Sequence, residues 1–370
     1  MYVTLTGARN NAGDFLIRHS AHSLLKQVRP DRQVHNLNSW EPINDAKLAT
    51  INAAKALILC GGPAVRQRMV SPYDLLPPML SRIRVSIVTM GLGWNHKDGR
   101  WSAVTGTIPT PDTRYLLARI RADGLRNSVR DIEAAVFLGC AGVDHVTVTG
   151  CPVLFFEDIP LDQPVAARDA GRVVVSAGVL GRREGTGFEQ QFHRVVEFAC
   201  QTFGLENVLV AFHHAPSAQG YTAAYGPGAA VADRQLLAWV MDRSIAWCDI
   251  SGASERMIEL YTNCSLHIGY RVHAHLLCTN LRKPSILLAE DSRGFGAGRL
   301  LGGWVIPALE PLAAATPLAE DEQGASTGME YMLREAVESF LANDLSLFRA
   351  PWDRVLMLKN RMTDFLRALP

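Results

Sequence analysis

Hydrophobic positions along the chain fall into two arrangements: short unbroken runs, and longer stretches with a three-to-four-residue period. The runs at residues 3–6, 56–60, 84–90 and 145–148, and again at 172–176, 207–212, 244–248, 284–289 and 304–307, predict strands covered on both faces, the pattern of parallel sheets. Between runs, residues 15–28 carry apolar side chains at 15, 16, 17, 21, 24, 25 and 28, a helical spacing, with Asp14 as its N-cap or first-turn acid. Further helices are expected after a cap at Asp131 (Ala134, Ala135, Phe137, Leu138), around 188–203 and 233–242, and over 254–262 behind a cap at Ser254. From Met329 onward the pattern is helical again, with Leu333, Ala336, Val337, Phe340 and Leu341 on one face and Leu356, Met362, Phe365 and Leu366 on another. The polar stretches at 157–171 and 319–326 read as linkers, and the Gly- and Ala-rich 216–232 as a mobile loop.

The strand–helix alternation comes in two sets of similar size, so the fold class is α/β. A chain of 370 residues also exceeds what one hydrophobic core usually supports. The expected division is an N-terminal α/β domain over 1–165, a second over 166–318, and a linker with C-terminal helices over 319–370.

Composition narrows the chemistry mostly by exclusion. A formal net charge of +1 argues against a broad nucleic-acid-binding surface, so any anion site must be a local cluster. The seven cysteines form no CxxC and no Cys/His ligand spacing; no metal site is expected, and thiols within apolar runs read as reduced and intracellular. The first residues lack the basic flank and length of a signal peptide, and no apolar run reaches the ~18–20 residues of a membrane span. The expected location is the cytoplasm.

The most informative stretch is residues 266–278, where Arg271, His273 and His275 interrupt an apolar run. Burying a guanidinium without a partner costs several kcal/mol, and a fixed cation beside groups that titrate near neutrality suits an anionic substrate that needs proton transfer. The same residues would equally suit a core in which Arg271 pairs with a buried carboxylate and the histidines are satisfied internally. Other cations also fall at predicted strand ends: Arg9, Arg126, Arg130, Arg182, Arg183 and Arg293. In two facing α/β domains such ends converge on one cleft, and an arginine fork can bind two oxygens of a phosphate or carboxylate. The chain contains no GxGxxG or GxxxxGK[ST].

Several segments, in order, carry a resemblance: Asn11-Ala12-Gly13-Asp14 before a helix, Leu59-Cys60-Gly61-Gly62-Pro63, Gly91-Leu92-Gly93, Val129-Arg130-Asp131, Gly150-Cys151-Pro152, and Gly269-Tyr270-Arg271-Val272-His273-Ala274 followed by Lys283-Pro284. Together they resemble the polysaccharide pyruvyl transferase family over roughly residues 3–295. The resemblance implies a GT-B-like fold: two Rossmann-like domains facing a cleft, with a C-terminal helix returning to the first. It also implies transfer of a pyruvyl group from phosphoenolpyruvate to two hydroxyls of a sugar in a glycan or glycan precursor, forming a ketal. Phosphoenolpyruvate is then a co-substrate, and no cofactor is needed.

By that resemblance Arg271 holds the donor anion, His273 is the acid or base, and Arg130 is a second anion contact; Arg126, Arg182, Arg183, Arg293 and His275 are further donor-side candidates. Where the family has Leu between the Arg and the His, this chain has Val272. Acceptor-side candidates are Asn11, Gly13, Asp14, Gly61, Gly62, Gly93, Trp94, His213, His214 and Glu255. Trp94 would stack on a sugar face, although packing explains an aromatic there equally well. The expected partners are a small-molecule donor and a sugar acceptor, not nucleic acid, with peripheral membrane contact through a lipid-linked acceptor left open. The competing functions are a GT-B glycosyltransferase with a nucleotide-sugar donor and a non-catalytic glycan- or anion-binding relative.

Overall fold

The computed structural model describes residues 1–156, 171–178, 188–214, 227–308 and 323–370. The first apolar runs form parallel strands β1 (Tyr2–Thr6), β2 (Val34–Asn38), β3 (Ala56–Cys60) and β4 (Ser86–Met90), in the order β2-β1-β3-β4. A further parallel pair, β5 (Asn127–Val129) and β6 (Val146–Val148), continues this sheet: the Gly91 amide donates to the Ser128 carbonyl at 3.0 Å, and the Arg130 amide to that of Leu92 at 2.8 Å. Every residue of β1 and β3 is buried, because helices cover both faces. Those helices are α1 (Ala12–Val28), α2 (Asp45–Asn52), α3 (Pro77–Leu80), α4 (Trp101–Gly106), α5 (Pro111–Ala122) and α6 (Ile132–Cys140).

The second sheet is wholly parallel, with strands β7 (Arg172–Ser176), β8 (Val208–Phe212), β9 (Ala246–Asp249), β10 (Cys264–Gly269), β11 (Ser285–Ala289) and β12 (Val305–Pro307) in the order β12-β11-β10-β7-β8-β9. Counted within its own half this is the Rossmann order, and the direction of winding reverses between β7 and β10. In the first sheet the reversal falls between β1 and β3. Ligand crevices open at such reversals, at the carboxyl ends of the strands, so each half contributes one edge of the same cleft.

The remaining helices are α7 (Phe188–Phe203), α8 (Pro227–Asp242), α9 (Glu255–Thr262), α10 (Val272–Asn280), α11 (Ser292–Leu301), α12 (Gln323–Leu341) and α13 (Ser346–Arg367). α13 returns to the first half, lying against α1 as well as α10 and α11. The Tyr2 hydroxyl donates to the Pro370 carbonyl at 2.7 Å, and Arg29 donates to the Leu369 carbonyl. One core cluster crosses between the halves, joining Tyr2, Leu16 and Ile58 to Met257, Tyr261 and Leu277 and to Phe365 and Leu366 of α13. Among the described residues the halves are therefore tied at the back, and the cleft faces the strand ends. This is the GT-B-like arrangement.

Several elements depart from the periodicity. β2 reads as polar because it is an edge strand with only Leu37 buried. β5 has three residues, too short for an apolar run, so residues 127–129 look like the approach to a helix. α8 begins at Pro227, which shortens the expected loop. Ser254 flanks α9 without a side-chain cap bond, whereas Asp131 caps α6, accepting from the Ala134 amide at 2.9 Å. The divisions expected at 165/166 and 318/319, and most of the linker residues, lie outside the described residues.

Candidate active site

α1 begins where β1 ends, and Asn11 starts it: its Oδ1 accepts from the Gly13 amide at 3.2 Å, a cap worth about 1 kcal/mol. Across the cleft, β10 ends at Gly269 and α10 starts behind Arg271, so His273 lies in the first turn of α10. The two helix starts meet. A Cβ on Gly13 would sit 2.3 Å from His273 Nδ1, so only glycine leaves room for the imidazole. Further bonds cross the seam beside them: the Ala12 amide to the His213 carbonyl at 3.3 Å, the Gly252 amide to the Asn10 carbonyl at 2.7 Å, and the His96 amide to Ser292 Oγ at 2.8 Å.

A cavity of about 350 Å3 opens at this junction, and its lining includes Asn11, Asp14, Gly61, Gly62, His214, His273 and Arg293. It gathers the turn after β1, the turn after β3 and the first turns of α10 and α11. Arg130 is 4% exposed beside it; Nε donates to Asp131 Oδ2 at 3.2 Å, while Nη1 and Nη2 are buried without a partner. Its side chain needs Gly93, where a Cβ would come within 1.9 Å of Nε. Asp131 in turn accepts from the Trp94 amide at 3.1 Å, which clamps the carboxylate and so orients the guanidinium. His273 Nε2 is likewise buried and unpartnered.

Burial, with the charges of Arg130, Arg293 and Arg271, holds the His273 imidazole well below the usual histidine range, so it is neutral at pH 7. Burial acts oppositely on Asp14, raising its carboxyl to about 6 despite a hydrogen bond from Asn11 and the same three arginines. A carboxyl pushed up beside an imidazole pushed down is the arrangement that separates acid from base within one site.

Arg271 is anchored rather than free. Its Nε donates to the Ala177 carbonyl at 2.5 Å, Nη2 to Gly178 at 3.2 Å, and its amide to Ser176 Oγ at 3.3 Å. Ser176 Oγ is also 2.8 Å from His267 Nε2, and Ser285 Oγ lies 2.8 Å from both His267 Nδ1 and His275 Nδ1. This buried chain ties α10 to three strands. It also corrects the donor-side reading of His275, which is 1% exposed, bonded inside the core and held near 4 by burial. Arg293 reaches the cavity but shares its charge with Asp291 at 2.6 Å and Glu290 at 3.3 Å.

Other candidates are placed elsewhere. Arg126 precedes β5, at the amino end of the sheet, and is exposed there. Trp94 is 1% exposed and packs on Phe137 with ring centroids 5.0 Å apart, so it offers no sugar-stacking face. The His213 ring turns inward to the Tyr261 hydroxyl at 2.8 Å, and only its carbonyl crosses the seam. Glu255 is exposed on α9 and is not among the lining residues. Gly93 makes space for Arg130 rather than meeting the cavity. Arg182 and Arg183 lie outside the described residues. The sequence reading overlooked Tyr73, Arg66 and Asn95, which also line the cavity; Asn95 directly follows the Gly91–Trp94 strand end and was the findable one.

Among the described residues no group of three or more His, Cys, Asp or Glu is placed to hold a metal, and no helix is long and apolar enough to cross a membrane. All seven cysteines are free.

No curated protein matches the chain. Among solved structures, the S. aureus MnaA–UDP co-structure aligns at TM-score 0.51 and 9% identity, covering 99% of this chain and 97% of that one. UDP-GlcNAc 2-epimerase from Neisseria meningitidis bound to UDP-GlcNAc aligns at 0.50 and 9%, covering 98% and 100%. The N-terminal domain of Candida albicans trehalose-6-phosphate phosphatase aligns at 0.51 and 11%, covering 100% and 99%. At these identities the likeness is one of fold. The profile of the polysaccharide pyruvyl transferase family matches residues 11–292, a stretch that holds Asn11, Arg130, Arg271 and His273 together, and the chain belongs to that family of transferases.

Proposed function

We propose that the protein transfers the pyruvyl group of phosphoenolpyruvate onto two hydroxyls of a glycan or glycan-precursor sugar, forming a ketal, without a cofactor. The observation that carries this reading is Arg130: two buried guanidinium nitrogens without partners, beside an unpartnered imidazole. Asp131 balances the Arg130 charge but leaves those two nitrogens unsatisfied, which is costly in a buried site, and a donor carrying both phosphate and carboxylate would supply the missing acceptors.

The proton inventory fits. One proton adds to the donor's methylene carbon, making it a methyl and leaving an oxocarbenium centre at the neighbouring carbon. A sugar hydroxyl attacks that centre and gives up its proton; the carbon–oxygen bond to phosphate then breaks, with the electron pair leaving on phosphate. The second hydroxyl attacks, closes the ketal and releases the second proton. Two protons leave the sugar, one is consumed at the methyl, and the other departs with hydrogen phosphate. Asp14, raised to about 6, is the acid for the methylene. His273, neutral at pH 7, is the base for the hydroxyl. Arg130 and Arg271 stabilise the departing phosphate. Asn11, Gly61, Gly62 and His214 bound the space for the acceptor.

The test is a thermal-shift titration with phosphoenolpyruvate on wild type and Arg130→Gln, with inorganic phosphate as control. Saturation at 100 times the dissociation constant adds about 2.7 kcal/mol. A specific shift that Arg130→Gln abolishes supports the donor. No shift with phosphoenolpyruvate but one with a nucleotide sugar overturns it in favour of a glycosyltransferase.

A further inference from the structure

A second cavity of about 730 Å3 adjoins the reactive one, and Arg66 and Asn95 line both. Its lining includes three cations, Arg66, Arg68 and Lys97, beside the polar His96 and Asn95, and no carboxylate. The closest acid in sequence, Asp98, is engaged by Arg100 at 2.7 Å. In a chain of net charge +1, this concentration of cations is local.

The wall is braced. The Val65 amide donates to the Gly93 carbonyl at 3.0 Å, the Asn95 amide to that of Val65 at 2.8 Å, and the Thr110 amide to that of Gln67 at 3.0 Å. Arg66 Nε is fixed on the Arg68 carbonyl at 3.2 Å. Loops tied in this way present their cations at set positions. His273, Asp14 and Arg293 line the inner cavity and not the outer one, so the two are distinct spaces with a shared wall at Arg66 and Asn95. Ile108, 69% exposed, also lines the outer cavity.

We infer that the outer cavity binds the diphosphate of an acceptor sugar esterified at its anomeric carbon. The inference rests on the pyruvyl-transfer reading for its orientation. Hydroxyls on the far edge of a pyranose from the anomeric carbon enter the inner cavity beside His273, and the anomeric substituent then points past Asn95 toward Arg68 and Lys97. A diphosphate presents several oxygens to this cluster, and charge-assisted bonds to Arg and Lys suit it.

The experiment is calorimetric titration of inorganic diphosphate, uridine diphosphate and farnesyl diphosphate into the full chain, with and without saturating phosphoenolpyruvate. The same titrations are run on the exposed pair Arg68→Gln/Lys97→Gln. The expected result is diphosphate binding that persists in the presence of phosphoenolpyruvate and weakens about tenfold or more in the double variant, whose response to phosphoenolpyruvate is unchanged. Tighter binding of the farnesyl ester names a lipid carrier, and of the uridine ester a nucleotide carrier; both support the site. Diphosphate that competes one-for-one with phosphoenolpyruvate, or binds the double variant as tightly as wild type, overturns it. Diphosphate binding lost in the double variant, with no phosphoenolpyruvate response in either protein, overturns the donor and keeps the outer site.

Discussion

Asp14 makes a prediction that separates the site's electrostatics from its catalysis. Its carboxyl ordinarily titrates near 3.8 and is raised to about 6 in the fold, chiefly by burial. The folded state therefore takes up a proton on Asp14 at a higher pH than the unfolded chain does. Stability falls as pH rises from about 4 to about 6, and the whole penalty is present above 6. A rise of that size corresponds to about 3 kcal/mol at about 1.36 kcal/mol per pH unit. Asp14 is partly open to the cavity, so about 2 kcal/mol is the working figure. Asp14→Asn removes the charge but keeps the shape. Without ligand at pH 7.5 the variant should be more stable than wild type by about that amount in urea denaturation, and the difference should shrink toward zero as pH falls to about 4. A variant less stable than wild type at pH 7.5, or a difference that does not move with pH, would refute the reasoning. The same substitution should lower turnover by about 10²–10⁴-fold, the usual contribution of a proton donor: the site is less stable for being reactive.

His273→Ala should cut turnover by a similar ~10²–10⁴-fold with an unchanged circular dichroism spectrum; near-normal activity would remove it from the chemistry. Gly13→Ala places a methyl 2.3 Å from His273 Nδ1, so activity should fall with only about 1–3 kcal/mol lost in stability, read by paired kinetic and denaturation measurements. Arg299→Ala strips the partner from Glu133, which is 1% exposed, and should destabilise by about 3 kcal/mol; adding Glu133→Gln should recover much of that in a double-mutant cycle.

The parallel sheets were legible because their strands are fully apolar: β3 and β11 read from composition alone. Arg130, Arg271 and His273 were legible through their motifs, and Asn11, Asp14 and Gly61 through their positions at strand ends. The division of labour among them was not. Nothing in the spacing of Arg271, His273 and His275 says that β10 stops at Gly269 and that α10 then turns His273 outward and His275 inward onto Ser285. Trp94 and Arg126 show the same limit from opposite sides. One sits at a strand's reactive end yet faces the core, and the other sits beside a strand too short to announce which end is which. Arg130's importance lies in two buried nitrogens that its ion pair with Asp131 leaves unsatisfied, which no sequence can display.

The seam closed by α13 has a kinetic consequence. Tyr2 and Arg29 find their partners at Pro370 and Leu369, 368 and 340 residues away, and Leu24 and Leu25 share a core with Phe365 and Leu366. During synthesis the first half can assemble its sheet early, but the apolar flank that α13 covers stays open until α13 is made. Contacts of such sequence separation form late, and the uncovered flank is exposed to association with other chains meanwhile. The yield of native protein should accordingly rise when synthesis is slowed or chaperones are supplied.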